Sequence, residues 1–146
     1  MLKVLIAEDD LMIADMIEEA LVRCGYEVCG IARTVGDAVA LGRKHKPDLA
    51  ILDMRLADGG RGTEVAACFD APRPGILYAT GNTSEVRLTA TDGEACLTKP
   101  YRSTDLMRAL EIVIELVATG TTTQPFPPSF QLLRGAVMKS GGKSHV

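Results

Sequence analysis

The sequence contains no tryptophan, and only three tyrosines and three phenylalanines. Few side chains are therefore available to stack on bases or to sandwich a flavin ring. An excess of positive charge is also missing, because 16 Lys and Arg residues stand against 19 Asp and Glu residues, a net charge of −3 at pH 7. Since general nucleic-acid binders need a concentrated basic surface to neutralise phosphates, we expect no nucleic-acid partner.

Paired cysteines and long apolar runs are absent as well. The cysteines at positions 24, 29, 68 and 96 form no C-x-x-C pair and adjoin no histidine cluster, which excludes the usual zinc and redox dithiol motifs. We expect them to be small buried apolar residues. The first apolar run, residues 4–7, meets acidic residues at once and is too short for a signal peptide. No run approaches the length of a membrane span, so we expect no membrane contact and a reduced, cytoplasmic location.

Short apolar runs alternate along the chain with longer segments of helical period. This pattern predicts a doubly wound α/β fold, in which parallel strands are joined by helices. The five runs are mostly continuous rather than alternating, as expected for strands covered on both faces, and the second is the least regular. They span residues 4–7, 26–32, 49–52, 76–79 and 95–98.

Helical spacing is clear in three of the intervening segments and weak in a fourth. Residues 11–24 and 62–69 predict helices, and Thr34 with Asp37 predicts a capping box for a helix that ends before Pro47. Residues 83–90 show little periodicity, so any helix there should be weak. A last helix, capped by Ser103 or Thr104, should extend to about residue 117. Its broad apolar arc is compatible with a large core face or with a partner surface.

The composition changes after residue 118. Residues 119–128 are rich in Thr and Pro, and residues 119–146 contain no Asp or Glu but several basic residues. Such a segment is typical of a linker and is too short for a core of its own. We therefore expect one domain over residues 1–118 and a flexible linker with a basic tail over residues 119–146.

Acidic and polar residues follow four of the five predicted strands. In a parallel sheet these positions meet along one edge, where doubly wound folds bind their ligands. We therefore expect three carboxylates, a hydroxyl, a backbone N–H and an ammonium at one site. These groups belong to Glu8, Asp9, Asp53, Thr80, Gly81 and Lys99.

The chemistry of this set points to a magnesium ion and a phosphoryl group. Carboxylates crowded together raise one another's pKa unless a cation compensates them, and ligation by oxygen atoms alone suits Mg²⁺. With Mg²⁺ and the ammonium of Lys99 to neutralise phosphoryl oxygens, Asp53 could attack a phosphorus atom as a nucleophile. Asp9 and Glu8 would hold the metal, while Thr80 and Gly81 could donate hydrogen bonds to the phosphoryl group.

This combination resembles the receiver domain of two-component response regulators over residues 1 to about 118. The resemblance implies a five-stranded sheet of order 2-1-3-4-5, Mg²⁺ binding, and transfer of a phosphoryl group to Asp53 from a histidine kinase or histidine phosphotransferase. It further implies that the backbone carbonyl of Arg55 is a metal ligand and that the Lys99–Pro100 peptide bond is cis. A receiver of this kind is a signalling phosphoacceptor rather than an enzyme.

One position departs from the usual receiver pattern. Cys96 stands where most receivers carry an aromatic switch residue, and the run Ala79-Thr80-Gly81 is similar to a subgroup of stand-alone receivers that lack it. If Thr80 moves toward a phosphoryl group, residues 82–93 should reorganise. The output would then be a downstream protein or a dimer partner, bound through the fourth helix, the fifth strand and the fifth helix.

Three other functions are compatible with parts of the pattern. A pseudo-receiver would bind partners without being phosphorylated, although the complete set of acidic residues argues against this. A phosphohydrolase would need a second acid where Arg55 stands, and a flavodoxin-like cofactor binder on the same fold lacks a G-x-G-x-x-G run after its first strand.

Overall fold

The computed structural model of the chain describes residues 1–81 and 87–138. Its strands and α-helices alternate up to residue 80, and their bounds up to residue 119 are as follows. The strands are β1 (Lys3–Ala7), β2 (Glu27–Ala32), β3 (Leu49–Asp53), β4 (Gly75–Thr80) and β5 (Ala95–Thr98). The helices are α1 (Leu11–Arg23), α2 (Val35–His45), α3 (Gly62–Ala67) and α4 (Ser103–Thr119).

The five strands form a parallel sheet of order β2-β1-β3-β4-β5, which confirms the predicted α/β fold. Every residue of β3 and β4 is buried. Both faces of these strands are covered by helices or loops, which explains why their sequences are continuous apolar runs.

Two apolar clusters fill the space on either side of the sheet. The first joins the sheet to α1 and α4 and includes Ile17, Leu21 and Leu110. The second lies on the opposite face, toward α2 and α3, and includes Ala38 and Val65. The sheet is therefore held rigidly between helix layers, and the ends of its strands are fixed points on which a site can be built.

The helix N-termini use carboxylate and hydroxyl caps. The Asp10 carboxylate accepts hydrogen bonds from the N–H groups of Met12 and Ile13 at the start of α1, and Thr34 accepts one from the Asp37 N–H at α2. The predicted cap of α4 is wrong. Instead of a hydroxyl, the Asp105 carboxylate reaches back to the Arg102 N–H at 3.1 Å, because the helix begins at Ser103.

The segment between β4 and β5 lies partly outside the described residues. The structure does not describe residues 82–86, which belong to the responding segment 82–93 and overlap the weak helix predicted over residues 83–90. Residues 87–94 contain a turn at residues 90–92 and no helix. They are tied to the sheet by the Tyr78 hydroxyl, which donates a 2.7 Å hydrogen bond to the Asp92 carbonyl.

The segment after α4 differs from the flexible linker that we expected. It contains β6 (Thr121–Thr122), β7 (Phe130–Leu132) and β8 (Val137–Met138). β7 pairs antiparallel with β5 and adds a sixth strand to the sheet, while β6 pairs with β8. The physical reason is the open edge of β5, whose backbone groups need partners. The domain boundary at residue 118 stays a prediction.

The expectation of four buried cysteines is confirmed for Cys96 alone. Cys24 and Cys68 are exposed because each lies at the C-terminal cap of a helix, whereas Cys96 is buried and Cys29 is intermediate. Among the described residues, no helix is long and apolar enough to cross a membrane.

Candidate functional site

Three carboxylates meet at the carboxyl ends of β1 and β3. Glu8 and Asp9 follow β1, and Asp53 is the last residue of β3, the strand paired beside it. One oxygen atom from each of the three residues lies within 4.8 Å of the others. Glu8 and Asp53 are only 2% and 7% exposed. Burial and mutual repulsion make this arrangement costly unless positive charge is close by.

Lys99 brings positive charge to these carboxylates from the other end of the strand order. It follows β5, and its Nζ atom lies 2.8 Å from Oδ2 of Asp53 and 3.2 Å from Oε1 of Glu8. Its backbone N–H donates a 2.7 Å hydrogen bond to the Thr80 carbonyl, so the ends of β4 and β5 are held together. The Lys99–Pro100 peptide bond is cis, as expected.

The charges of these groups shift one another's protonation. Burial, with the hydrogen bond to Asp53 and its negative charge, raises the pKa of Glu8 to about 7. Burial lowers the pKa of the Lys99 ammonium, but the hydrogen bonds and negative charges of Asp53 and Glu8 outweigh it and raise that pKa above its usual value. Lys99 is therefore charged at neutral pH, while Glu8 lies near its titration midpoint.

Backbone N–H groups fix the two buried carboxylates. Oδ1 of Asp53 accepts a 3.1 Å hydrogen bond from the Arg55 N–H, and Oε2 of Glu8 accepts one of the same length from the Asp10 N–H. With Asp9, the set offers only oxygen donors, which are the ligands that Mg²⁺ prefers. Once Glu8 is ionised, one ammonium cannot neutralise three carboxylates, so the charge of the site then also fits a divalent cation.

A cavity of about 890 Å³ opens above these residues. All seven predicted site residues line it: Glu8, Asp9, Asp53, Arg55, Thr80, Gly81 and Lys99. Thr80 is 3% exposed, and Gly81 beside it is exposed. The structure thus brings the predicted residues together, as the parallel topology requires.

Sequence reasoning missed the part that Gly62 plays in shaping the site. A Cβ atom on Gly62 would meet the carbonyl oxygen of Asp53, and the Gly62 N–H donates a hydrogen bond to the Met54 carbonyl. Only glycine allows α3 to start this close to the end of β3. The glycines at positions 59, 60 and 62 were the available signal.

Arg61 and Leu88 also line the cavity without having been predicted. Arg61 precedes α3, and Leu88 lies in the turn segment before β5. Neither belongs to a motif in the sequence, and both reach the cavity through loop conformations. Such positions cannot be found from strand and helix periodicity alone.

Cys96 stands at the position where most receivers carry an aromatic residue, and it has an aromatic neighbour on the adjacent strand β4. Cys96 is the register partner of Tyr78 in the β4–β5 pair, so the two side chains lie on the same face. Tyr78 is fully buried and Cys96 is 2% exposed. The space beside Cys96 is therefore already occupied by a large ring, which leaves little room for a second one.

Comparisons with known proteins agree on one family. The sequence model of the response regulator receiver domain matches residues 4–111. The transcriptional regulatory protein PdtaR of Mycobacterium tuberculosis is 34% identical over 115 residues, which cover 77% of this chain and 56% of that protein. The phyllosphere-induced regulator PhyR of Methylorubrum extorquens is 38% identical over 83 residues, which cover 53% and 30%. The chain spans about half the length of the first curated relatives it matches.

Solved structures give the same picture. The CheY-like receiver domain protein of Methanospirillum hungatei has a TM-score of 0.70 and 28% identity, over 82% of this chain and 99% of that one. The anti-anti-sigma factor PhyR of Bartonella quintana has a TM-score of 0.58 and 30% identity, over 70% of this chain and 42% of that one. The likeness to the first covers almost the whole of a single receiver domain.

Proposed function

Since the chain belongs to the response regulator receiver domain family, we propose that it accepts a phosphoryl group on Asp53 and signals through contacts with other proteins. Receiver domains are signalling modules, and the proposed donor is a phosphohistidine of a histidine kinase or histidine phosphotransferase. The observation that carries the proposal is the 2.8 Å contact between Nζ of Lys99 and Oδ2 of Asp53 at the floor of the cavity.

The proposed transfer exchanges one bond to phosphorus for another. A carboxylate oxygen of Asp53 forms a bond to the phosphorus atom as the phosphorus–nitrogen bond of the donor breaks, and the imidazole leaves with that electron pair. The Lys99 ammonium lies where it can neutralise charge on the transferred group. Buried Asp53 is held by the Arg55 N–H, so little reorganisation is needed before the attack.

The residues that would hold Mg²⁺ are Glu8, Asp9 and Asp53, together with the backbone carbonyl of Arg55. The carboxylate oxygens of the first three are gathered within 4.8 Å. When bound, the ion would neutralise phosphoryl oxygens that otherwise repel the carboxylates. In this proposal the Thr80 hydroxyl and the Gly81 N–H donate hydrogen bonds to the phosphoryl group, because both residues border the same cavity as Asp53.

Labelling with an acyl phosphate tests the proposal. We expect the wild-type chain with Mg²⁺ to take up one phosphoryl group from acetyl phosphate, and Asp53→Asn to take up none. Asp58→Asn is the matched control, because Asp58 is an exposed carboxylate five residues further along the chain and outside the three-carboxylate set. Its labelling should equal that of the wild type.

Two results would contradict the proposal. Equal labelling of Asp53→Asn and wild type would place the acceptor elsewhere. Absence of labelling in a folded, Mg²⁺-supplied wild-type chain would favour the pseudo-receiver, which binds partners without phosphorylation. Some relatives are named transcriptional regulatory proteins or an anti-anti-sigma factor, and we propose that this chain also acts through partner contacts.

A further inference from the structure

Residues 121–134, here called the strap, cover the edge of the sheet beside β5. The strap leaves the end of α4, runs back along that helix and places β7 against β5. It lies beyond residue 111, where the match to the receiver family ends. The face it covers includes the fifth strand and the last helix, which the sequence analysis assigned to a partner.

Two charged residues of α4 hold the first half of the strap. The Arg108 guanidinium donates hydrogen bonds to the carbonyls of Pro125 and Thr123, at 3.1 and 2.7 Å. The Glu115 carboxylate accepts a 3.2 Å hydrogen bond from the hydroxyl of Thr122, which is fully buried. These contacts use specific side chains of α4 rather than a general apolar surface.

Backbone bonds and one ion pair hold the second half. The Thr98 N–H donates to the Ser129 carbonyl at 3.0 Å, and the Leu133 N–H donates to the Glu94 carbonyl at 2.9 Å. Glu94 is 7% exposed, and its carboxylate lies 3.7 Å from the guanidinium of Arg134. The strap thus brings a second cation to this carboxylate, which also lies 3.9 Å from the guanidinium of Arg73.

The first half of the strap is buried at Thr122 and Pro127, whereas its second half, with β7, lies on the sheet edge without being part of the core. β5 is buried at Ala95, Cys96 and Leu97, whereas none of the strap residues from 128 to 134 is buried. Phe130 packs at the border of one core cluster and Leu133 at the border of the other. A strand of three residues with half-exposed side chains can leave the edge without opening the core.

We infer that the β5 edge is a strand-addition site for an extended segment of another protein, and that the strap occupies it until such a segment displaces it. A segment that binds there needs backbone groups that pair antiparallel with β5. It also needs apolar side chains at the positions of Phe130 and Leu133, and a cation facing Glu94. Edge strands bind peptides in this way, and the strap itself is a segment with the required chemistry.

A separate peptide with the sequence of the strap, added to the full chain, tests this inference. The probe is a fluorescein-labelled peptide of residues 126–136. The strap is weakened in the double variant Arg108→Ala/Arg134→Ala, which lacks both guanidinium groups that hold it. We expect saturable binding in fluorescence anisotropy to the double variant. Binding to wild type should be at least tenfold weaker, since a tethered strap competes at an effective concentration of about millimolar.

The Thr98 amide reports whether the edge is covered, because its N–H donates to the strap. Its hydrogen exchange should speed up in the double variant and slow again when the peptide binds. Arg23→Ala is the control protein, because the exposed Arg23 pairs with Glu19 on α1 and does not touch the strap. It should behave as wild type in both measurements.

A peptide carrying Gln131→Pro is the control probe. Ser129 and Leu133 direct their backbone groups toward β5, so Gln131 midway between them does the same, and proline removes its N–H. This peptide should not bind. Equal binding of both peptides, no binding to the double variant, or unchanged Thr98 exchange in the double variant would each overturn the inference.

Discussion

The ammonium of Lys99 lies between two buried carboxylates, 2.8 Å from Asp53 and 3.2 Å from Glu8. These residues follow or end three different strands, so a single side chain links the ends of β5, β3 and β1. The link is electrostatic and half-buried, with only 25% of the Lys99 side chain exposed. Replacement of Lys99 should therefore change both stability and chemistry.

Lys99→Met should destabilise the metal-free protein. Removal of the Lys99 ammonium leaves two buried carboxylates without this cation. We therefore expect the free energy of unfolding at pH 8 to fall by about 1–3 kcal/mol. Urea denaturation with a chelator present measures this. Lys44→Met, on the exposed side of α2, should stay within about 0.5 kcal/mol of wild type. Equal effects of the two substitutions would contradict the role of Lys99.

The metal-free protein should lose stability as pH rises through the raised pKa of Glu8. Between the ordinary value of 4.5 and about 7, the folded state keeps a proton that the unfolded chain has released. The contribution of Glu8 is thus fully present below pH 4.5 and is lost by about pH 7, at a cost of about 3 kcal/mol.

Glu8→Gln should remove this pH dependence, because glutamine does not titrate. Chemical denaturation at several pH values without divalent cations gives the comparison. Asp15→Asn removes one exposed carboxylate on α1 and should keep the wild-type slope. If Glu8→Gln kept that slope as well, the titrating group would lie elsewhere.

Gly62→Ala should destabilise the protein and weaken Mg²⁺ binding. The added Cβ would meet the carbonyl oxygen of Asp53, so either α3 or the end of β3 must shift. We expect a loss of about 1–3 kcal/mol in thermal denaturation and a weaker Mg²⁺ affinity in calorimetry. Gly36→Ala in α2 meets nothing within 4 Å and should instead stabilise by about 0.5–1 kcal/mol. A neutral Gly62→Ala would show that the close approach is not required.

Cys96→Phe, which supplies the aromatic residue that most receivers carry at this position, should destabilise the protein. Cys96 is buried beside the fully buried Tyr78, so a second ring overpacks this face by about 1–3 kcal/mol. Cys24→Phe places the same ring on an exposed helix end and should change stability by less than about 0.5 kcal/mol. Denaturation midpoints decide the point, and similar values for both variants would contradict it.

The parallel core could be predicted because most strands are continuous apolar runs and the helices that cover them have an apolar face. β1 and β3 are recognisable from residues 4–7 and 49–52 alone. β7 was missed because it has only three residues, follows a Thr/Pro stretch and gains its partner from β5, far away in sequence. Pairing of that kind is decided by tertiary contact rather than by local preference.

The site was predictable for a related reason. The carboxyl ends of parallel strands must meet, so Glu8, Asp53 and Lys99 could be placed together from their positions after strands. The closeness of Gly62 to Asp53 and the burial of Tyr78 beside Cys96 could not be read in this way. Both depend on how loops and side chains fill space once the sheet has formed.

The most direct test of the account is to locate the phosphoryl group on the chain. After reaction with acetyl phosphate and Mg²⁺, borohydride reduces an aspartyl phosphate to homoserine, and peptide mass spectrometry then identifies the converted residue. We expect conversion of Asp53 alone, and no conversion when a chelator is added before the donor. Conversion of another aspartate, or none in a chain that binds Mg²⁺, would contradict it.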